Sequence, residues 1–208
     1  LEQAPQRYAF RATAWWEQTC QEIVAELKGN IRALCDPKVW GDWQPRYLEA
    51  RFGLPDAAGK HWQEPLVVRQ GEDTLRLRGV IDRIDVNSRG ELRVIDYKSG
   101  SGSNDYGKSG LEKGRKIQLP LYALAARDAL HLGEPVEGFY WHLGKMAASG
   151  LKLQRVGFEW ACERALEHAW KAVMGARAGR FQPRPPAGGC PPWCPAVGFC
   201  WRYRGRSF

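Results

Sequence analysis

A chain of 208 residues, 44% hydrophobic and 26% charged, is long enough for one domain with a core, or one domain plus a small appendage, and its composition excludes wholesale disorder. No apolar run reaches membrane-spanning length and no basic-then-apolar leader opens the chain, so the expectation is a soluble, intracellular, cytoplasmic protein. A net charge of +8 favours polyanionic partners, nucleic acid first, although the same surplus serves solubility alone.

The first residue is Leu1 rather than Met, which reads as a fragment of something larger. From Arg11 to Leu34 the apolar residues Trp15, Trp16, Ile23, Leu27, Ile31 and Leu34 recur at helical spacing. Residues 1–45 are therefore expected to be an N-terminal helical segment, ahead of a core over residues 46–180 and a Cys-rich tail over 181–208. The core opens with a short strand, Arg46 to Leu54, ended by Pro55. Leu66 to Arg69 and Thr74 to Val86 read as strands, and Asn87-Ser88-Arg89-Gly90 as a turn into a strand from Glu91 to Lys98. Thr74 to Lys98 is thus expected to be a β-hairpin. Ser99 to Gly114, rich in Gly, Ser and Lys, reads as a mobile loop. A helix over Lys116 to Leu132, a strand pair over Pro135 to Leu143 and Leu151 to Phe158, and a helix over Glu159 to Ala178 follow. This order predicts an α/β or α+β fold with a central mixed sheet flanked by helices.

Two strands carry acids where a strand does not want them: Gly79-Val80-Ile81-Asp82-Arg83-Ile84-Asp85 and Val94-Ile95-Asp96-Tyr97-Lys98. Residues two apart share a strand face, so Asp96 and Lys98 point the same way, beside Val94 and Leu92. The short turn brings Asp82 near Asp96. Two neighbouring carboxylates repel unless a divalent cation lies between them, and Mg²⁺ and Mn²⁺ prefer such oxygen ligands. Such a cation polarises a phosphate oxygen and acidifies a water, while Lys98 can orient that water or offset charge on the phosphate. Asp96 and Lys98 alone would read as a surface ion pair; Asp82 at the matching distance favours the catalytic reading.

These segments, followed by Gln118-Leu119-Pro120-Leu121-Tyr122, resemble the RecB-family nucleases of the PD-(D/E)XK superfamily. That family includes the nuclease domains of RecB/AddB-type helicase–nucleases and the CRISPR-associated RecB-like exonucleases. The resemblance runs from about Arg46 to the C-terminus and implies a restriction-endonuclease-like core. It implies Asp82, Asp96 and the Tyr97 carbonyl as metal ligands and Lys98 as the catalytic lysine. It also implies a Mg²⁺- or Mn²⁺-dependent DNA nuclease, an exonuclease on single strands or ends, acting in repair or recombination beside a helicase in a prokaryotic-type cytoplasm. Gln118 and Tyr122 match the family's Gln-x-x-x-Tyr signature and share one helix face, placed to meet DNA or brace the site. Glu49 lies where the family often has a strand Glu, and reads equally as a supporting acid or a surface residue. The family commonly has a His in an early helix; here His61, His131, His142 and His168 lie elsewhere. Glu17 or Glu22 stands in, or the ligand lay upstream of Leu1. The alternative function is accordingly a catalytically incomplete DNA-binding module.

Cys190, Cys194 and Cys200 follow a Cys-x3-Cys-x5-Cys spacing in a Pro-rich tail that has no periodicity to order it. Clustered thiolates can wrap a soft metal and staple such a segment. Several RecB-family members carry a 4Fe–4S cluster on three C-terminal cysteines and one upstream; the resemblance implies the same here, with Cys35 as the fourth ligand and Cys20 competing. Zinc and free thiols are the other readings, and Cys162 reads as a core residue. Finally, Gly102 to Ser109 matches the P-loop pattern. Gly110 and Gly114 make a poor start for a phosphate-receiving helix, so Lys108 is expected instead on a basic loop that touches the DNA backbone.

Overall fold

The central strands, Gly79–Val86, Leu92–Lys98 and Pro135–His142, are rich in β-branched and aromatic residues, which suit a buried sheet. The structure, a computed structural model, describes residues 1–100 and 106–182 together with Cys190, Cys194, Ala196 and Cys200. A short helix α1 (Ala4–Arg7) precedes α2 (Ala14–Leu34), whose N-cap Thr13 accepts a hydrogen bond from Trp16 N at 3.4 Å. Asp36 caps α3 (Pro37–Trp40) in the same way through Lys38 N at 2.9 Å. There follow β1 (Gln44–Phe52), β2 (Leu66–Gln70), β3 (Asp73–Leu77), β4 (Gly79–Val86) and β5 (Leu92–Lys98). Then come α4 (Lys108–Glu112), α5 (Gln118–Asp128), β6 (Pro135–His142), a 3-10 turn (Leu143–Lys145), β7 (Ala147–Lys152), α6 (Leu153–Val156) and α7 (Phe158–Arg177).

The main sheet is mixed, in the order β1-β4-β5-β6-β7; β5 and β6 run parallel and the other neighbours antiparallel. The parallel pair needs a crossover, which α4 and α5 supply. Helices flank the sheet, as a restriction-endonuclease-like core requires. On one face Ile84, Leu92, Val94 and Tyr140 pack with Leu119, Ala123 and Ala126 of α5 and Ala161 and Ala165 of α7. On the other, Ile95, Phe139 and Trp141 pack with Trp40 of α3 and with Ala33 and Leu34 of α2.

Four expectations about elements are corrected. Thr74 to Lys98 is not one hairpin: β3 pairs with β2 in a separate two-stranded sheet, and only β4 and β5 make the hairpin. At the start of β4, Gly79 lets the Phe52 ring pack close, since a Cβ there would meet that ring at 3.0 Å. The stretch Ser99 to Gly114 is not all loop; α4 forms inside it because Leu111 is fully buried and pins the glycine-rich segment to the core. The helix expected from Lys116 to Leu132 is shorter, and ends at Asp128 with turn-like bonds from Leu130 and Leu132 to α5 carbonyls. The last strand is β7, four residues upstream of the expected Leu151 start, and Leu153–Val156 is helical.

The chain divides into two compact units, residues 1–168 and 169–208, with the division inside α7. The second holds the last part of α7 and the tail. No helix among the described residues is long and apolar enough to cross a membrane.

The hairpin is secured on the α2–α3 side by buried charge. Asp85, fully buried, receives Arg83 Nε at 2.5 Å and Arg93 Nη2 at 2.6 Å. The Arg93 guanidinium is flanked by the rings of Trp40 at 4.2 Å and Trp43 at 4.8 Å. At the turn, Gly90 takes φ +78° and its N–H bonds the Asn87 carbonyl at 3.0 Å. Asp85→Ala leaves two guanidinium groups buried without their carboxylate and is expected to cost ~3–5 kcal/mol, measured by urea unfolding.

Candidate active site

The hairpin delivers the first two acids. Its pairing runs Val86–Leu92, Asp85–Arg93, Ile84–Val94 and Arg83–Ile95, and stops there. The same register continued one step would set Asp82 opposite Asp96. Where the ladder ends, the Tyr97 N–H turns to the Asp82 side chain and donates to Oδ2 at 2.8 Å. Alternation along β5 puts Asp96 and Lys98 on the face of Leu92 and Val94, as expected, and Tyr97 on the opposite face. There the Tyr97 hydroxyl accepts from Arg83 Nη1 at 3.3 Å, so the strand residue between Asp96 and Lys98 is tied to the buried Arg83–Asp85–Arg93 group.

Asp96 is only 1% exposed. The Lys98 ammonium lies against its Oδ2 as an ion pair, off the angles of a hydrogen bond, and neither carboxylate oxygen accepts one. Burial pushes the Asp96 carboxyl up to about 6, with Asp82 adding to the rise, while Lys98 and then Lys116 pull the other way. A buried carboxylate whose Oδ1 has no hydrogen-bond partner, near a second carboxylate, suits a hard divalent cation. The residues present therefore fit Mg²⁺ or Mn²⁺, with Asp82 and Asp96 as donors. Among the described residues no group of three or more His, Cys, Asp and Glu comes together as a metal site.

Lys98 Nζ donates to Gln118 Oε1 at 3.0 Å, and Gln118 Nε2 donates to the Tyr122 hydroxyl at 2.6 Å. The i, i+4 pair on α5 thus acts as a bracket for the lysine. Tyr122 packs edge-on against Phe52 of β1 at 6.1 Å, and burial raises its hydroxyl pKa.

Glu49 is exposed, takes φ +51° in β1, and lines a cleft of about 300 Å³ with Tyr47, Arg51, Asp56 and Gln63. Between the Leu48–Arg83 and Ala50–Ile81 pairs, the β1–β4 register sets Glu49 across from Asp82. Lys108 is also exposed; its Nζ lies 4.7 Å from the Trp160 ring and 3.9 Å from Glu112. Residues 102–105 of the P-loop match lie outside the described residues. Glu17 and Glu22 are exposed on α2. Cys35 caps the end of α2, exposed, while Cys190, Cys194 and Cys200 are partly exposed; none of these four forms a disulfide. Cys162 is a core residue, its thiol pushed up to about 12 by burial.

Three neighbours were not anticipated. Tyr140 lies in register with Asp96 and His142 with Lys98 on β6, and Lys116 ends two residues before Gln118. His142 is 5% exposed with Nδ1 unpartnered, and burial lowers its pKa. The only sequence signal was that β6 carries Tyr and His at alternate positions, which binds them to one face without saying which one.

A family model of the PD-(D/E)XK nuclease superfamily matches residues 1–201. The gene 69 protein of Mycobacterium phage L5 is 33% identical over 132 residues, 62% of this chain and 38% of that protein. One of the subunits of the ATP-dependent helicase/deoxyribonuclease of Moorella thermoacetica is 37% identical over 127 residues, 58% of this chain and 10% of that protein. Its counterpart in Leuconostoc citreum is 36% identical over 102 residues, 47% of this chain and 8% of that protein. The chain thus spans well under half the length of each of these relatives. With its mixed sheet, its Asp82–Asp96–Lys98 group and a family match along nearly its whole length, this chain belongs to the PD-(D/E)XK nuclease superfamily.

Proposed function

We propose that this chain is a deoxyribonuclease domain that hydrolyses DNA phosphodiesters with Mg²⁺ or Mn²⁺, as an exonuclease on single strands or ends, beside a helicase in repair or recombination. The carrying observation is Asp96, a buried carboxylate with Lys98 ion-paired at Oδ2, Oδ1 without a hydrogen-bond partner, and the Asp82 charge acting on it. The relatives named as helicase/deoxyribonuclease subunits support DNA as substrate and a helicase as partner.

Asp82 and Asp96, with the Tyr97 carbonyl, would hold the cation, which when bound polarises the phosphate and lowers the pKa of a water. Asp82 is oriented by the Tyr97 N–H, and Asp96 by burial. Lys98 places positive charge where charge develops on the phosphate. Gln118 sets the direction of the ammonium and Tyr122 sets Gln118. For the tail we propose a thiolate-held metal centre, a 4Fe–4S cluster first, on Cys190, Cys194 and Cys200; spacing and resemblance support it.

Asp96→Asn is expected to abolish Mn²⁺-dependent digestion of labelled single- and double-stranded DNA, with a loss of ~100–1000-fold or more. No digestion by wild type, or equal digestion by this variant, refutes the reading; binding without cutting would favour a non-catalytic module. The same variant should be more stable than wild type when metal-free at neutral pH. A carboxyl raised to about 6 contributes stability that is fully present below its ordinary value and lost as pH rises through about 6. Asn mimics the protonated form, so the gain is on the order of 1–3 kcal/mol at pH 7 and vanishes near pH 4, read from thermal melts at the two pH values in EDTA. Gln118→Leu should keep the fold and lower kcat by ~10–100-fold, the size of effect seen when a supporting hydrogen bond is lost. An ultraviolet–visible spectrum with metal analysis of freshly purified protein tests the tail: iron and a broad band near roughly 400 nm are expected, and colourless, iron-free protein refutes the cluster.

A further inference from the structure

Lys116 stands two residues before Gln118, at the mouth of α5. A lysine at a helix N-terminus works against the helix dipole, so helix stability does not explain it. Its main chain is fixed to the site: the Tyr140 hydroxyl donates to the Lys116 carbonyl at 3.3 Å, and Tyr140 is the β6 residue in register with Asp96. Its ammonium lies 4.0 Å from the centre of the Tyr106 ring. Tyr106 in turn meets Tyr140 edge-on at 4.9 Å and His142 at 4.8 Å, and Lys98 Nζ lies 5.5 Å from the Tyr140 ring. Two touching aromatic rings therefore each carry an ammonium group, Lys116 on Tyr106 and Lys98 on Tyr140, the residue aligned with Asp96.

The charges of these groups converge. Lys116 acts on Asp96, and Lys145, Lys98 and Lys116 all act on His142 after the larger effect of burial. A phosphodiester approaching Asp82 and Asp96 meets two carboxylates, and needs cationic groups beyond Lys98 on the path of the chain. Lys116 is half-buried, so part of the residue stays open to a ligand. The N-terminus of α5 adds positive potential at the same place.

We infer that Lys116, braced on the face of Tyr106, is a second cationic group of this site and binds a phosphate of the nucleic-acid backbone. The inference rests on the nuclease reading above. It assigns Lys116 to substrate binding, in contrast to Lys98, whose place against Asp96 assigns it to the chemical step.

The test is anisotropy of a fluorescent single-stranded oligonucleotide in EDTA, across a series of salt concentrations, for the full chain. Loss of one phosphate contact lowers the slope of log affinity against log salt by about 0.7 for a single strand. Lys116→Gln should show that drop and raise KM in Mn²⁺-dependent cleavage with little change in kcat, whereas Lys116→Arg keeps the wild-type slope. Tyr106→Phe keeps the aromatic face and the slope, and Tyr106→Leu loses both. A Lys116→Gln protein that melts like wild type but keeps its slope and KM overturns this inference and leaves the nuclease reading intact. A kcat loss with unchanged slope also overturns it. Wild-type protein that neither binds nor cuts DNA overturns both.

Discussion

The site depends on where the β4–β5 ladder stops. Four backbone pairs hold the hairpin from Val86–Leu92 to Arg83–Ile95, and the next step would oppose Asp82 to Asp96. Two carboxylates facing each other in a continuous ladder repel, and each then needs a partner. Here the Tyr97 N–H is given to the Asp82 side chain, and Asp96 is left buried beside Lys98. The strand end thereby becomes a place where oxygen donors converge.

Such an arrangement has to be held against its own electrostatics. The counterweight is on the other side of the sheet, where Arg83 and Arg93 share Asp85, with the Arg93 guanidinium lying against two tryptophan rings. Because the Arg83 guanidinium also bonds the Tyr97 hydroxyl, the buried ions on one face and the carboxylates on the other are joined through a single strand residue. A fully apolar replacement of the Arg–Asp–Arg group could pack as well, but would lose that tie. Stability and site geometry are coupled at Tyr97. On the opposite face the buried Asp96 carboxylate, with Lys98 as its ion-pair partner and no hydrogen bond accepted, is a cost to the fold rather than a support.

The comparisons and the geometry agree at the level of family. The family match covers nearly the whole chain, and the Asp82, Asp96, Lys98, Gln118 and Tyr122 side chains are drawn together at one end of the sheet by a hairpin and one helix. The β1–β4 register runs unbroken through Leu48–Arg83 and Ala50–Ile81, so Glu49 stands across from Asp82 with a positive φ, while the Lys108 ammonium lies against the Trp160 ring.

The sequence by itself determined which side chains of the candidate site share a face. Two-residue alternation in β5 requires Asp96 and Lys98 to share a face, and i, i+4 spacing requires the same of Gln118 and Tyr122. Both are local periodicities that hold in any strand or helix, so they survive without knowledge of the fold. The turn at Asn87 to Gly90 likewise sets the register that brings Asp82 to Asp96. Only the tertiary structure decided which long-range partners arrive. The parallel crossover places Tyr140 and His142 beside Asp96 and Lys98, α4 forms because Leu111 finds the core, and β3 leaves the hairpin for β2. Those outcomes turn on burial and pairing between segments tens of residues apart, which no local pattern encodes. The Asp82–Asp96–Lys98 group was legible because its geometry is local. Its setting, with Lys116 on Tyr106, was not, because that is made of contacts between separate elements.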